Sequence, residues 1–420
     1  MHKDRSFLLW FRYGTALLTA AVLLTGITEH AYGRETGRLK VAFVGDPQVD
    51  DSTELLYARK SVYRELRERK DIDMAIFLGD IVNDSMELLE QSRESMDSLA
   101  YPYFVIPGNH DFDIYKGKKA KVRQPDRDRD LVSYSDVFGS PDTTFARNGI
   151  RFVLMNDIQY DKSSYKGGFD NAQVEYLDSA VNAGAGERLL VLVTHIPYSH
   201  IKDRAATDSV LARFNGEILL VSGHTHRVER SSVELAGGRT VQELIAGASC
   251  GTWWRGQKDE SGIPYALQGC GSPRGYFIAD FRKGEFTLEY KCIGRPEGFL
   301  SSAWAVPAAG DSTRLIVNIF GGSVDGIAEI RAGRLHSGKR ITLEMTGDTA
   351  PEVLEAIETN KSLEGGRTKK AEMLPLRHSR SPHIWSVTVP GDIDVRRIKI
   401  RYCDQNMSFR STVPLRRLHR

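Results

Sequence analysis

Two histidines, His224 and His226, stand one residue apart in the segment VSGHTHR, directly after an apolar run that predicts a buried strand. Imidazole nitrogens are the commonest metal ligands in proteins, and a hydrophobic core does not require such a pair. Four other segments, far apart in the chain, also end an apolar run with side chains that carry oxygen or nitrogen donors. These five segments are the candidates for chemistry.

The donors at the ends of the five runs are carboxylates, amides and imidazoles. They are Asp46, Gln48, Asp80, Asn109, His110, His195, His224 and His226. A mixed oxygen and nitrogen set without thiolate suits Mn, Fe or Zn, and with enough oxygens Mg. Two ions about 3.5–4 Å apart, sharing one carboxylate, would use most of these donors. The alternative is a single structural zinc site, which closes with four ligands and leaves the other donors unused.

The apolar runs themselves predict strands that are covered on both faces, because they are nearly continuous rather than alternating. They span residues 39–44, 74–78, 103–106, 189–193 and 218–221. Helical periodicity is found between them at 53–70, 85–99 and 170–183. Strands alternating with helices predict an α/β domain, in which ligands bind beyond the carboxyl ends of the strands. Every donor cluster lies at such an end.

The pattern changes after residue 247. Further strands are predicted at 240–246, 275–281 and 285–293, and residues 299–312 are rich in Ala, Pro, Gly and Ser, which indicates a linker. Beyond it, strands at 313–320, 340–346, 384–389 and 396–402 with one helix at 350–360 predict a smaller, sandwich-like β-rich domain over 313–420. The catalytic domain is then expected over 34–298.

The first 33 residues differ from the rest of the chain. A basic start precedes an apolar stretch at 14–27, and Ala31, Tyr32 and Gly33 place small residues where a signal peptidase cleaves. This arrangement predicts a secretory signal peptide, too short for a comfortable membrane span. The mature protein is therefore expected in the periplasm or outside the cell, without a stable span. An uncleaved N-terminal anchor is the alternative.

The composition is that of a globular protein. Of 420 residues, 41% are hydrophobic, and 57 basic against 55 acidic residues give a net charge of only +2, so no nucleic-acid partner is indicated. The four cysteines are interpreted as buried free thiols, and a disulfide between Cys250 and Cys270 is the alternative in an oxidising compartment.

The motifs D-x-Q, G-D, G-N-H-D, T-H and G-H-T-H, in this order, resemble those of the calcineurin-like metallophosphoesterase family, over residues 38 to about 293. The segment 247–276 and the sequence SPHIW at 381–385 resemble an exported bacterial branch that carries a C-terminal β-domain. The resemblance implies a four-layer αββα sandwich followed by that smaller domain. It also implies two divalent metal ions, among which Mn is favoured over Fe, Zn and Mg.

The family pattern carries over residue by residue. The implied ligands of the first ion are Asp46, Gln48, Asp80 and His226, and those of the second are Asp80, Asn109, His195 and His224. His110 is implied to face the substrate rather than to bind metal, and Asp111 to fix the loop. The family more often has histidine where Gln48 stands. Because an amide oxygen is a harder ligand than imidazole, this change favours Mn or Mg.

The expected function is that of an exported metal-dependent phosphoesterase acting on small phosphorylated monoesters or diesters. A hydroxide bridging the two metals would attack phosphorus, and His110 would assist the leaving group. Trp253, Trp254 and Arg255 are predicted to contact the substrate by stacking and charge, although core packing is an equal alternative for the tryptophans. Tyr165 and His200 are further candidates. The alternative function is a non-catalytic surface or glycan-binding protein with a vestigial metal site.

Overall fold

The computed structural model describes residues 37–112, 127–161, 164–331, 340–364, 372–391 and 396–418. The predicted signal peptide, 1–33, lies outside the described residues. Among the described helices, none combines the length and the apolar character that crossing a membrane requires.

Thirteen strands build the larger part of the fold. In chain order they are β1 (Arg38–Val44), β2 (Met74–Phe77), β3 (Tyr103–Val105), β4 (Thr143–Arg147), β5 (Ile150–Leu154), β6 (Ile158–Asp161), β7 (Ser164–Gly167), β8 (Leu189–Val193), β9 (Glu217–Ser222), β10 (Val228–Glu234), β11 (Thr240–Ala246), β12 (Gly275–Arg282) and β13 (Glu285–Cys292). One sheet has the order β13-β12-β1-β2-β3 and a second the order β10-β11-β9-β8-β5-β4. Strands β6 and β7 form a separate two-stranded sheet.

The two large sheets share one apolar core. Phe43 and Ile76 of the first sheet belong to the same buried cluster as Val191 and Leu219 of the second. The opposite face of each sheet is also buried: Ala42 and Phe77 lie in one outer cluster, and Leu190 and Leu220 in another. Burial on both faces explains why these strands are continuously apolar. The αββα layering that the family resemblance implies is therefore confirmed.

Helices form the outer layers. They are α1 (Ser52–Ala58), continued by a π-helical turn into α2 (Arg64–Glu68), then α3 (Leu89–Asp97), α4 (Arg127–Phe138), α5 (Asn171–Ala183) and α6 (Ala205–Leu211). Two of their starts follow from sequence chemistry. The Asp51 carboxylate accepts the N–H groups of Thr53 and Glu54, and Asp170 with Gln173 forms a capping box at α5.

The C-terminal region is β-rich, as predicted, with one helix. Its elements are β14 (Ser301–Ala308), β15 (Ser312–Ile319), β16 (Ile327–Arg331), β17 (Ile341–Thr342), β18 (Glu344–Met345), α7 (Pro351–Glu364), β19 (Ile384–Pro390), β20 (Arg397–Cys403) and β21 (Ser408–Arg417). The strands join in a single eight-stranded sheet, ordered β17-β16-β20-β21-β14-β15-β19-β18. They do not separate into two sheets because β21 pairs with β20 on one side and with β14 on the other.

The segment 299–312 is not the linker that its composition indicated. Strand β14 occupies most of it and pairs antiparallel with β15 from Ser301 to Ala308. Ala303 and Ala305 face the common core, whereas Trp304 lies in a cluster with α7. Small residues are needed here because the strand packs closely on both faces, so composition alone gave the wrong interpretation.

The described cysteines are all free thiols. Cys250, Cys270 and Cys292 are buried, in agreement with the interpretation from the sequence, and the alternative Cys250–Cys270 disulfide is not formed. Cys403 differs because it is exposed. It lies at the end of β20, on the face that does not pack against the core.

Candidate metal centre

Each predicted ligand lies in a loop that directly follows a strand. Asp46 and Gln48 follow β1, Asp80 follows β2 and Asn109 follows β3, while His195 follows β8 and the pair His224 and His226 follows β9. Strands β1, β2 and β3 run parallel as neighbours, and so do β8 and β9. Parallel neighbours end at the same edge of a sheet, so the five loops converge where the two sheets meet.

Two groups of donor atoms result, and Asp80 belongs to both. One group contains Asp80, His195 and His224, the other Asp46, Asp80 and His226, and within each group one ligand atom from every residue lies within 4.8 Å of the others. The second carboxylate oxygen of Asp80 lies 3.3 Å from Nε2 of His195. This division is the one that the family resemblance implies, with Asp80 as the shared carboxylate. The assignment of individual ligands remains a proposal.

Two buried amides lie next to these groups, and that of Gln48 has an unpaired oxygen that fits a cation site. Gln48 is 1% exposed and its Oε1 has no hydrogen-bond partner, while its Nε2 donates to Asn83. Asn109 is equally buried, with Oδ1 3.1 Å from Nε2 of His195 and Nδ2 unpartnered. A buried polar atom without a partner is costly, and a metal ion would satisfy Oε1 of Gln48. The unpartnered Nδ2 of Asn109 is a donor, so Oδ1 is the atom of that residue that could bind an ion. The residues present therefore fit two divalent ions.

The protonation of the histidines differs across the centre. Burial lowers the pKa of His226 to about 4 and, with the charge of His195, that of His224 to about 3. Both imidazoles are thus neutral at neutral pH, the form that ligates metal. Burial also acts to lower the pKa of His195, but the Asp80 carboxylate outweighs it and raises that pKa to about 10. A cation bound beside His195 would displace its proton.

The backbone around the donors is strained. Among the described non-glycine residues, nine have positive φ, and they include Asp46, Gln48, Asp80, His224 and His226, with φ between 38° and 69°. Each such residue costs about 1–3 kcal/mol, and residues of this kind cluster at functional sites. Five strained residues among the predicted ligands indicate that orienting these side chains lowers the stability of the fold.

Two buried carboxylates hold the ligand loops through backbone N–H groups. Asp111 accepts from Ile81 and Val82 through one oxygen and from Gly108 through the other. Asp157 accepts the N–H groups of His195 and Ile196 at 2.8 and 3.0 Å. Burial raises the pKa of each to about 7. Asp111 therefore fixes the loop, as the sequence suggested. Asp157 was missed, because its strand end, Asn156-Asp157, matches no recognised motif.

His110 lies beside the donor groups with its imidazole partly exposed. Its backbone N–H donates to Oδ1 of Asp80 at 2.8 Å, and its Nδ1 lies 3.2 Å from Oδ1 of Asp84. Burial lowers the pKa of His110, but the carboxylates of Asp80 and Asp84 raise it above the ordinary value. Asp84 is buried, has φ of 59° and was not predicted from the sequence. The spacing Asp80-x-x-x-Asp84 after the strand is the signal in the sequence that could have identified it.

The three substrate candidates separate in the structure. Trp253 is half-buried, with its ring 5.4 Å from that of His226 and 6.3 Å from that of His110. Trp254 is 4% exposed and donates its indole N–H to the carbonyl of Pro47 at 2.8 Å, which favours the alternative of core packing for this residue. Arg255 is half-buried and acts electrostatically on Glu54, whose pKa burial raises to about 7.

The two further aromatic candidates also differ. The Tyr165 ring lies 6.0 Å from that of His224, edge to face, so it borders the donor groups. His200 is exposed, in a 3-10 turn after β8, and no contact with the predicted ligands is found for it among the described residues.

The C-terminal region contacts the loop of His226 directly, and also indirectly through the segment 268–272 of the larger domain. The N–H of Gly269 donates to the carbonyl of His226, and the carbonyl of Gly269 accepts from the hydroxyl of Ser379. Arg227, next to His226, also donates to Ser379 and to the carbonyl of Arg380. The loop that presents His226 is thus held from both domains, a contact that sequence reasoning did not anticipate.

Comparisons with known proteins agree with this geometry. Residues 39–228 match the sequence model of the family described as "Calcineurin-like phosphoesterase", and residues 243–408 match that described as "C terminal of Calcineurin-like phosphoesterase". A protein of Arcobacter nitrofigilis named "Probable glycerophosphodiester phosphodiesterase GpdQ" is 23% identical over 207 residues, which cover 45% of this chain and 72% of that relative.

Proposed function

The chain belongs to the calcineurin-like phosphoesterases and carries the C-terminal domain of that family, and on this premise we propose that it is a binuclear metal-dependent phosphodiesterase. The observation that carries the proposal is the pair of donor groups that share the buried Asp80. The name of the Arcobacter nitrofigilis relative supports a diester over a monoester as the substrate.

The chain's residues would hold the two ions as the donor groups divide them. Asp46, Gln48 and His226 would bind one ion and Asn109, His195 and His224 the other, with Asp80 between them. Two divalent ions supply the positive charge that makes water a nucleophile at neutral pH and stabilises the negative charge that develops on the phosphoryl oxygens. The oxygen-rich first group, with Gln48 in place of a histidine, favours Mn.

We assign His110 the role of assisting the leaving group. Burial acts to lower its pKa, but Asp80 and Asp84 raise it above the ordinary value, which favours the protonated imidazole that can donate to the departing oxygen. Asp84 contacts Nδ1, and we assign the contact with the substrate to the other ring nitrogen, Nε2. Asp84 would then act through His110 as a positioning residue.

We place the leaving group against Trp253. Its half-buried ring lies beside both His226 and His110, and an aromatic face there would exclude water and pack on the organic part of an ester. Arg255, in the same loop, would attract the phosphate. Trp254 supports this loop from below through its bond to Pro47.

The experiment is an assay of bis(p-nitrophenyl) phosphate and p-nitrophenyl phosphate with Mn²⁺ added and after chelation. Hydrolysis that needs the metal and prefers the diester is expected. A protein that binds metal but hydrolyses neither ester under any metal would instead favour the alternative, a surface or glycan-binding protein.

The variant His110→Ala tests, in the same assay, whether His110 protonates the leaving group. On p-nitrophenyl esters, whose leaving group needs little protonation, the loss in kcat should be small, whereas on alkyl esters it should reach about 10²–10⁴-fold. Equal losses on both substrates would exclude His110 as the acid.

We further propose that the protein is exported, on the strength of the basic, apolar and small-residue pattern in residues 1–33.

A further inference from the structure

Although the net charge of the whole chain is only +2, positive charge is concentrated on the outer face of β16, β20 and β21. Its exposed cations, here called the cationic face, are Arg331, Arg340, Arg397, Lys399, Arg401 and Arg410. They line or adjoin a shallow groove of about 420 Å³. Glu329 is the acidic residue on this part of the sheet, and it pairs with Arg401 at 3.1 Å and Arg340 at 3.6 Å.

The register of the strands sets like charges directly opposite each other on this face. Arg331 of β16 is opposite Lys399 of β20, and Arg401 of β20 is opposite Arg410 of β21. Opposed like charges destabilise a sheet, whereas opposite charges at the same positions would stabilise it. The fold therefore does not require these residues. No ion pair within the described residues is found for Arg331, Lys399 or Arg410.

The arrangement is two-dimensional rather than a single track. Alternate residues on a strand are about 6.8 Å apart and neighbouring strands about 4.8 Å apart, so cations on three strands form a two-dimensional array. Ile327 lies on the same face, opposite Cys403, and is 61% exposed, the highest fraction among the exposed large apolar residues described. No Phe, Tyr or Trp projects from the described positions of β16, β20 and β21 on this face.

We propose that the cationic face binds an anionic lipid surface, with Ile327 entering the interfacial region. Lipid headgroups present negative charge spread over a surface, which suits cations spread over three strands rather than along one line, and an aliphatic side chain beside the array adds an apolar contact. A single-stranded nucleic acid is disfavoured because the face offers no aromatic ring for base stacking. The rest of the same sheet face is covered by α7, whose Glu355 pairs with Arg416, so the array is bounded on that side.

The test is sedimentation of the full chain with phosphatidylglycerol/phosphatidylcholine vesicles and with phosphatidylcholine vesicles. The wild type should bind the anionic vesicles and not the neutral ones, and about 1 M salt should abolish binding, because the Debye length falls to about 3 Å. The triple variant Arg331→Gln, Lys399→Gln, Arg410→Gln should bind about a hundredfold more weakly, from about fivefold for each cation. Ile327→Ser should weaken binding about threefold.

The matched control removes three exposed cations from one face of a helix on the sandwich: Lys60→Gln, Arg64→Gln, Arg67→Gln. It should retain binding within about twofold of the wild type, since those residues lie outside the array. Residues 1–33 are present in all variants, so any contribution that they make to vesicle binding is the same in each comparison. The triple variant should be at least as stable to heat as the wild type, because the like-charge pairs are relieved, and should keep its esterase activity.

Four outcomes would overturn the proposal. These are equal binding to neutral and anionic vesicles, equal losses in the triple and control variants, binding of heparin or RNA by the cationic face without binding of vesicles, and pelleting by self-association in the absence of lipid.

Discussion

Oδ1 of Asp84 lies 3.2 Å from Nδ1 of His110, at the side of the donor groups where the imidazole is partly exposed. The contact joins two loops, because the backbone N–H of Asp84 also donates to the carbonyl of His110 at 2.9 Å. Asp84 therefore orients the ring and, together with Asp80, raises its pKa against the effect of burial. Its buried position and its positive φ, 59°, indicate that this contact is maintained against local strain.

Asp84→Asn should shift the pH profile of the metal-loaded enzyme. The acid form of His110 is the active one in our mechanism, and Asp84 helps to raise its pKa, so activity persists above the ordinary histidine range and falls as pH rises through the raised pKa. Removing the charge lowers this pKa, and the alkaline limb of kcat should move towards acid. An unmoved limb would show that His110 does not control it. Asp84→Glu is expected to restore part of the shift.

Asp80→Asn should disable both ion positions, because both donor groups contain this carboxylate. We expect metal content measured by elemental analysis to fall from two ions towards zero or one, and kcat on bis(p-nitrophenyl) phosphate to fall about a thousandfold or more. The control is Asp71→Asn at the opposite end of β2, where the carboxylate pairs with Lys40 and Arg69 on the surface. Retention of two tightly bound ions by Asp80→Asn would contradict the shared-ligand arrangement.

Replacement of the two neighbouring tryptophans by alanine should affect different properties: stability for Trp254 and substrate binding for Trp253. Trp254→Ala removes a ring that is 4% exposed and bonded to Pro47, and it should cost about 3–5 kcal/mol in the free energy of unfolding. Trp253→Ala should leave the unfolding midpoint nearly unchanged but raise KM for aryl esters. Chemical denaturation and steady-state kinetics on both variants separate the two effects. A KM unaffected by Trp253→Ala would remove this residue from the substrate surface.

Asp404→Asn tests the junction between the domains. Arg230 and Asp404 form a two-bond ion pair, 2.6 and 2.9 Å, with side chains 6% and 3% exposed. Breaking a buried pair leaves an unpaired charge, and we expect a loss of about 3–5 kcal/mol at neutral pH.

The pH dependence of this loss has a defined sign. Burial acts to raise the pKa of Asp404, but the Arg230 guanidinium lowers it below the ordinary value. A depressed carboxyl pKa stabilises the fold above the unfolded pKa of about 3.9, and the contribution disappears as pH falls through the lower folded value. The difference in unfolding free energy between the wild type and Asp404→Asn should therefore shrink only below about pH 4. A difference that is constant from pH 7 to about pH 3 would exclude the charge as its cause.

The sequence by itself determined the order of strands and helices in the larger domain and the places of the candidate donor residues at the strand ends. Strands buried on both faces must be continuously apolar, and each donor pair, such as Asp46 with Gln48 or His224 with His226, directly follows such a strand. These features are local, so they are visible in the order of residues. The capping box of Asp170 and Gln173 could also be predicted from the sequence, because both residues lie within one helical turn.

Only the tertiary structure decided which of two adjacent residues is buried and which distant residues meet. Trp253 and Trp254 are identical in type, and their difference depends on Pro47, more than 200 positions away. The strand within 299–312 forms because β15 and β21 supply its partners, and the cationic face exists because three strands align in register. Long-range pairing of this kind depends on free energy shared between segments far apart in the chain, which no local pattern of residues contains.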